Sequence, residues 1–258
     1  MVFPLPASFR RNASPPRSRD PVRWFTLAII AAFFCPVVSA AEKSLPAVRV
    51  AGQLVLFGDS ITAYGDRPDG WVRILRSRLA GESGRPDIRI INAGQGGDVV
   101  QDLHRRFFWR SWRNPDVVLL CIGINDARSA ADMRYSDLDL QEYRKALAAL
   151  VGKLRSTGAQ VVVVSPILSG EQMRGRNALD AIVDAYARAA DDVAERCGAS
   201  FIDLRSIFFD RLAKSNPGDK GSGLLTYDGL HLNKSGNALM AEAVLGKLRS
   251  LAPEKTSP

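Results

Sequence analysis

The residues with the most chemistry in them are Gly58-Asp59-Ser60, where the apolar run Leu54–Phe57 stops and helix-compatible residues begin. That pattern reads as a buried strand ending in a tight turn, with a serine hydroxyl at the mouth of the next helix. A helix N-terminus carries unpaired N–H groups and the positive end of the helix dipole. A serine placed there has a hydroxyl that can attack a carbonyl and donors nearby for the oxyanion. Gly-Asp-Ser alone is also ordinary turn chemistry, so the weight falls on three further polar blocks. Asn92-Ala93-Gly94-Gln95-Gly96-Gly97-Asp98 comes after a second apolar run, Ile88–Ile91. Gly123-Ile124-Asn125-Asp126 comes after a third, Val117–Ile122, and Asp228-Gly229-Leu230-His231-Leu232 lies near the C-terminus. In parallel α/β sheets, sites form at the carboxyl ends of strands. Segments far apart in sequence can therefore converge.

Five apolar runs predict strands, at about 53–58, 87–92, 116–122, 160–165 and 200–204. The runs at Val55, Val117 and Val161 are nearly continuous, as expected of strands covered on both faces. Helical patterns separate them. The clearest spans about 138–155, with Leu140, Tyr143, Leu147, Leu150, Val151 and Leu154 on one face and Gly158 beyond its end. Others run over about 178–197 and 235–251. This alternation predicts an α/β fold of three layers, α/β/α and flavodoxin-like, around a five-stranded parallel sheet.

Taken together, the four polar blocks resemble those of the SGNH hydrolases, also called GDSL-type esterases and lipases. The resemblance runs from about Val50 to the last helix. Leu56-Phe57-Gly58-Asp59-Ser60-Ile61-Thr62, Gly70-Trp71 and Tyr227-Asp228-Gly229-Leu230-His231-Leu232 are most similar to the isoamyl acetate-hydrolysing branch. Two departures stand out. Ile61 replaces the Leu of the family name, and Gly96 stands where many members have Ser, which leaves Gly96 beside Gly97 as a candidate donor.

The resemblance implies Ser60 as nucleophile, Asp228 and His231 as acid and base, and Gly97 and Asn125 as oxyanion donors alongside the Ser60 N–H. The chemistry of the residues agrees. A serine hydroxyl needs an adjacent base at neutral pH, and the chain has only two histidines, His104 and His231. His231 comes three residues after Asp228, close enough for the carboxylate to take the Nδ1 proton and leave Nε2 for Ser60. His104 falls on an expected helix and reads as a surface residue. Gly97 accepts a backbone conformation closed to other residues, and the Asn125 amide donates without a titrating charge. Asp59, Asp98 and Asp126 read as turn or cap formers. The Gly-x-Ser-x-Gly elbow of α/β-hydrolases, a phosphate loop and metal-ligand spacing are all missing from the sequence. No cofactor and no metal are expected.

Residues 1–40 read as a secretory signal peptide, and residues 41–258 as a single domain. Arg10, Arg11, Arg17, Arg19 and Arg23 lead a largely apolar Trp24–Val38, and Val38-Ser39-Ala40 offers a small-residue cleavage site. An uncleaved N-terminal anchor is the alternative. Removing residues 1–40 takes away five of 35 Lys and Arg and one of 27 Asp and Glu, which halves the formal charge from +8 to +4. Much of the basic character thus belongs to the leader, and no nucleic-acid partner is expected. Nor is stable membrane insertion once the leader is gone; the oligomeric state is left open. Cys121 and Cys197 remain, free to bridge only if the fold brings them together. Arg105–Arg113, with Phe107, Phe108, Trp109 and Trp112, reads as a helix with its apolar residues inward and its arginines in water. Polyanion or membrane contact is the alternative there.

The expected function is a secreted or periplasmic serine esterase that releases acetyl or another short acyl group from a small-molecule or carbohydrate ester. An acyltransferase to a sugar hydroxyl, a lysophospholipase or a thioesterase would use the same machinery. Selectivity is expected in residues 63–70, 127–137 and 167–177. Residues 214–227, rich in Gly, Ser, Asn and Asp, read as a mobile flap beside the site.

Overall fold

The structure is a computed structural model that describes residues 52–81 and 88–251; the expected leader lies outside the described residues. The order is β1 (Gly52–Gly58), α1 (Ser60–Ala63), α2 (Trp71–Gly81), β2 (Ile88–Gly94), α3 (Val100–Phe108), β3 (Val117–Cys121) and α4 (Ile124–Asp132). Then come α5 (Asp137–Arg155), β4 (Gln160–Val164), α6 (Asp180–Arg196), β5 (Ser200–Ile202), α7 (Leu204–Ser215) and α8 (Lys234–Ser250). All five strands are parallel, in the order β2-β1-β3-β4-β5. That is the doubly wound arrangement, with its switch point between β1 and β3.

Alternation along each strand sorts the core into two halves. Leu54, Leu56, Leu119, Val162 and Val164 face Trp71 and Leu75 of α2, Phe208 of α7 and Met240 and Val244 of α8. Val55, Phe57, Val118, Leu120, Val161 and Val163 face Leu103 of α3, Leu147 and Leu150 of α5 and Val183 and Tyr186 of α6. Both faces of the sheet are covered, which is why the central strands read as unbroken apolar runs. Burial of these side chains contributes roughly 1.5–3 kcal/mol each for the larger ones. Local signals set the ends of the long helices. The Ser136 hydroxyl accepts from Asp139 N while the Asp139 carboxylate accepts from Ser136 N, a reciprocal cap on α5. Asn233 Oδ1 accepts from Ser235 N and Gly236 N at the start of α8.

Every expected strand is present, with ends shifted by a few residues. The fifth stops at Ile202 because Asp203 Oδ1 accepts from Ser206 N and caps α7, a helix that the apolar pattern does not predict. Arg105–Arg113 departs from expectation more fully. The helix ends at Phe108; Phe107 and Trp112 turn inward, while Phe108 is 66% exposed and Trp109 89% exposed. The two outward aromatics lie past the reach of the Val100–Leu103–Phe107 stripe that packs on the sheet. Cys121 and Cys197 are both free thiols. Among the described residues, no helix is long and apolar enough to cross a membrane.

Candidate active site

Register explains why the polar blocks meet. Gly58 of β1 is level with Gly94 of β2 and with Cys121 of β3. The loops after these three residues therefore leave the sheet side by side at its carboxyl edge. Gly58 is required by proximity: a Cβ there would come within 2.2 Å of the Cys121 carbonyl oxygen. The chain then turns at Asp59, whose Oδ1 accepts from Ile61 N at 2.9 Å and caps α1. Ser60 is the first residue of that helix, where the N–H has no carbonyl one turn back to bond. It is only 5% exposed, so few groups can reach its hydroxyl.

His231 is one of them. Its Nε2 lies 3.1 Å from Ser60 Oγ, and its Nδ1 lies 2.7 Å from Asp228 Oδ2. Asp228 Oδ1 accepts from the backbone N–H of Leu230 and of His231 at 2.9 and 2.7 Å, so the same carboxylate shapes the turn and holds the ring. Partial burial pushes the Asp228 carboxyl up, but the hydrogen bonds from His231 and Leu230 outweigh it and hold the group below its ordinary range. A proton on Nδ1 donates to this carboxylate and leaves Nε2 as acceptor for the Ser60 hydroxyl. The Tyr64 ring lies 5.0 Å from the imidazole, and the Tyr227 ring stacks at 5.7 Å and 15°.

The second block arrives from β2. Gly97 has φ +83°, a conformation that favours glycine, and a Cβ there would meet no protein atom within 4 Å. The requirement for glycine is thus conformational, and the space beside it is open. A Cβ on Gly96 would lie 3.9 Å from Ser60 Cβ, so both glycines border the serine while only Gly97 has the positive φ. Asn125, in the first turn of α4 rather than in a bare turn, donates through Nδ2 to the Asp98 carbonyl at 2.9 Å. Its second amide hydrogen is left over from that bond. His104 lies elsewhere, with Nε2 2.7 Å from Ala146 O and Nδ1 3.2 Å from Lys153 Nζ.

The three aspartates beside the site act on backbone or on arginine, as turn and cap formers do. Asp126 accepts from Val100 N at 3.1 Å, and Asp98 pairs with Arg106. Burial pushes the Asp59 carboxyl up to about 7, with the Asp126 and Asp98 carboxylates adding to the rise. It pushes Asp126 up to about 6. Arg106 is a site residue that its local sequence does not single out. Its Nε reaches Asp98 Oδ2 at 2.6 Å, its Nη1 the Ala93 carbonyl at 2.9 Å and its Nη2 the Gly58 carbonyl at 3.1 Å. One guanidinium thus ties the ends of β1 and β2 to the Gly96–Asp98 loop. The available signal is its position three residues after Leu103, on the edge of the buried stripe of α3.

Residues 214–227 do not form the free flap expected of them. Lys214 and Ser215 complete α7, and Asn216, Leu225 and Thr226 are buried. The fully buried Glu171 organises the rest. Its Oε1 accepts from Leu225 N, Thr226 N and Thr226 Oγ1, and its Oε2 from Leu224 N. Asn216 Nδ2 donates to the Glu171 carbonyl, and Gly170 N to the Gly229 carbonyl. A polar, glycine-rich composition hid an anchored loop because its partner, a glutamate, lies 53 to 55 residues upstream.

Residues 56–239 match the model of the GDSL-like lipase/acylhydrolase family. The chain belongs to this family and is a carboxylic ester hydrolase. Acetylxylan esterase of Geobacillus stearothermophilus is 27% identical over 217 residues, 77% of this chain and 94% of that protein. The isoamyl acetate-hydrolyzing esterase 1 homolog of Homo sapiens is 27% identical over 210 residues, 73% and 77% of the two chains. The crystal structure of an acetyl xylan esterase, AlAXEase, superposes with a TM-score of 0.71 at 31% identity, covering 76% of this chain and 98% of that one.

Proposed function

We propose that this protein is a secreted serine esterase that removes acetyl or similarly short acyl groups, with Ser60 as nucleophile, His231 as base and Asp228 as the carboxylate that orients it. The observation that carries the reading is the continuous contact Ser60 Oγ–His231 Nε2–His231 Nδ1–Asp228 Oδ2, at 3.1 and 2.7 Å. As Oγ bonds to the ester carbonyl carbon, its proton passes to Nε2, and the carbonyl oxygen takes the negative charge. The N–H groups of Ser60 and Gly97 and the free amide hydrogen of Asn125 receive that oxyanion; one such donor is typically worth about 3–4 kcal/mol of barrier. Collapse breaks the bond to the alcohol oxygen, which leaves with the proton from Nε2. Water, deprotonated by the same imidazole, then releases the acid and restores Ser60.

The acetyl preference is supported by the names of the relatives, an acetylxylan esterase and a homolog of an isoamyl acetate-hydrolyzing esterase. A carbohydrate alcohol is supported by Tyr227, 54% exposed and stacked against the imidazole, where an aromatic face is available to a sugar ring. Residues 1–40 act as the leader and residues 41–258 as one catalytic domain. The test is Ser60→Ala, assayed on aryl esters of rising chain length and on acetylated xylooligosaccharides. Activity should vanish in the folded variant, and the wild type should favour acetyl. Retained activity would end the serine mechanism; a preference for long chains would end the acetyl assignment.

A further inference from the structure

Phe108 and Trp109 are adjacent and are two of the most exposed large apolar residues among those described, at 66% and 89%. Their position in the fold gives them a setting. Each helix that connects parallel strands runs against the strand direction, so α2, α3, α5 and α6 end at the amino edge of the sheet, opposite Ser60. α8 does too, since its residue Asn237 accepts a hydrogen bond from Trp71 N at the start of α2. All five carry basic residues in their last turns: Arg78, Arg105, Lys153, Arg196 and Lys247 are examples. Cations at helix C-termini are favoured by the dipole, but here five C-termini share one face. Arg113, exposed in the link from α3 to β3, adds to it. Lys153 Nζ lies 5.0 Å over the Phe108 ring; the acidic Asp102 pairs with Arg105, Asp116 accepts from Gln53 N, and Glu195 beside Arg196 offsets part of the positive charge.

We propose that this face is a docking surface for an anionic lipid bilayer, with Phe108 and Trp109 set into the headgroup layer and the surrounding Lys and Arg against lipid phosphates. Aromatic side chains partition to that layer, and basic residues add electrostatic attraction to anionic lipid. A soluble polyanion would satisfy the cations but leave the two rings in water, which is why a bilayer fits better. Docked this way, the molecule turns Ser60 and His231 away from the membrane, toward substrate in the surrounding compartment. The inference does not depend on which acyl group the site removes.

The experiment uses the full chain as recovered from the expressing cell, with vesicles containing phosphatidylglycerol and with vesicles of phosphatidylcholine alone. The fluorescence of Trp109 is isolated as the difference between wild type and Trp109→Phe. It should shift to the blue and be quenched by brominated lipid in the anionic vesicles only. Phe108→Ser with Trp109→Ser, and separately Arg105→Gln with Arg113→Gln, should each weaken binding at least tenfold and leave turnover of a soluble aryl acetate unchanged, since none of these residues touches the site. A Trp109 signal that ignores anionic vesicles overturns the proposal. So does binding that survives loss of both rings, the result expected of a polyanion site or of the N-terminal segment alone. Self-association removed by the ring substitutions, without lipid binding, overturns it in favour of a second copy of the chain. Should the double variants fail to fold, the Trp109→Phe difference measurement still decides.

Discussion

The Arg106 guanidinium reaches the Asp98 carboxylate and the carbonyls of Ala93 and Gly58 at once, and stands 4.9 Å over the Phe57 ring. A lysine is a single point charge and cannot reproduce a planar fork with three acceptors. Arg106→Lys is therefore expected to loosen the Gly96–Asp98 loop and lower kcat roughly tenfold to a hundredfold, with little change in KM. Steady-state kinetics on an aryl acetate check the split; a change confined to KM would place the residue in substrate binding instead. Two titrations act beside it. Asp228 is held below the ordinary carboxylate range by its hydrogen bonds and is ionised at neutral pH. Asp228→Asn should lose most of the activity on an aryl acetate, as steady-state kinetics would show. Asp59 runs the other way for stability. Its folded-state value of about 7 lies above the ordinary 3.8, so the stability it contributes is complete below pH 4 and lost as pH rises toward and through 7, by up to about 4 kcal/mol. Asp59→Asn keeps the cap on Ile61 and removes the buried charge. Its melting temperature should exceed wild type at pH 8 and converge with it near pH 4, as thermal unfolding across pH would show.

At the scale of elements, the site has two supports. Ser60, Gly97 and Asn125 leave adjacent strands, whereas Asp228 and His231 depend on a loop held by Glu171. Glu171→Gln replaces one acceptor oxygen with an amide that cannot accept, and should cost about 1–3 kcal/mol. It should also raise amide exchange at residues 224–226 and lower kcat; unchanged exchange would mean that other bonds hold the loop. The same division explains how much of the molecule is legible in its sequence. Strands and the long helices α5, α6 and α8 carry period and cap signals within a few residues of each other, so they are legible, as are the four blocks. Arg106 and Glu171 act through partners set by topology. Arg106 sits beside Arg105 with nothing in the local sequence to separate them, yet one is solvated and the other threads between two strand ends. The α7 helix is hidden because Leu204 continues the apolar run of β5 across the Asp203 cap. Phe108 and Trp109 are misplaced inward because a stripe of apolar residues does not say where its helix stops.

For the whole molecule, the described residues form two core halves, one on each face of the sheet. On the proposed organisation, a chain of residues 41–258 should fold and match the full chain in kcat/KM on a small aryl acetate. A tenfold loss would show that residues 1–40 contribute to the catalytic domain. Tyr227→Ala tests recognition at the same scale, since the ring is exposed and stacks on His231. KM should rise about tenfold for acetylated xylooligosaccharide and stay nearly level for the aryl acetate, in line with the loss of one aromatic contact. Equal effects on both would point to support of His231 rather than to a sugar platform.

The spacing of the contact between Ser60 and His231, 171 residues apart, also bears on how the chain is made. The hydroxyl leaves the ribosome 171 residues before its base. On the proposed chemistry, a growing chain carries a complete nucleophile with nothing to deprotonate it until the segment after α7 has closed on Glu171. Synthesis would then pass through species that hold the nucleophile yet are chemically silent, and hydrolysis would begin only once His231 has emerged and docked.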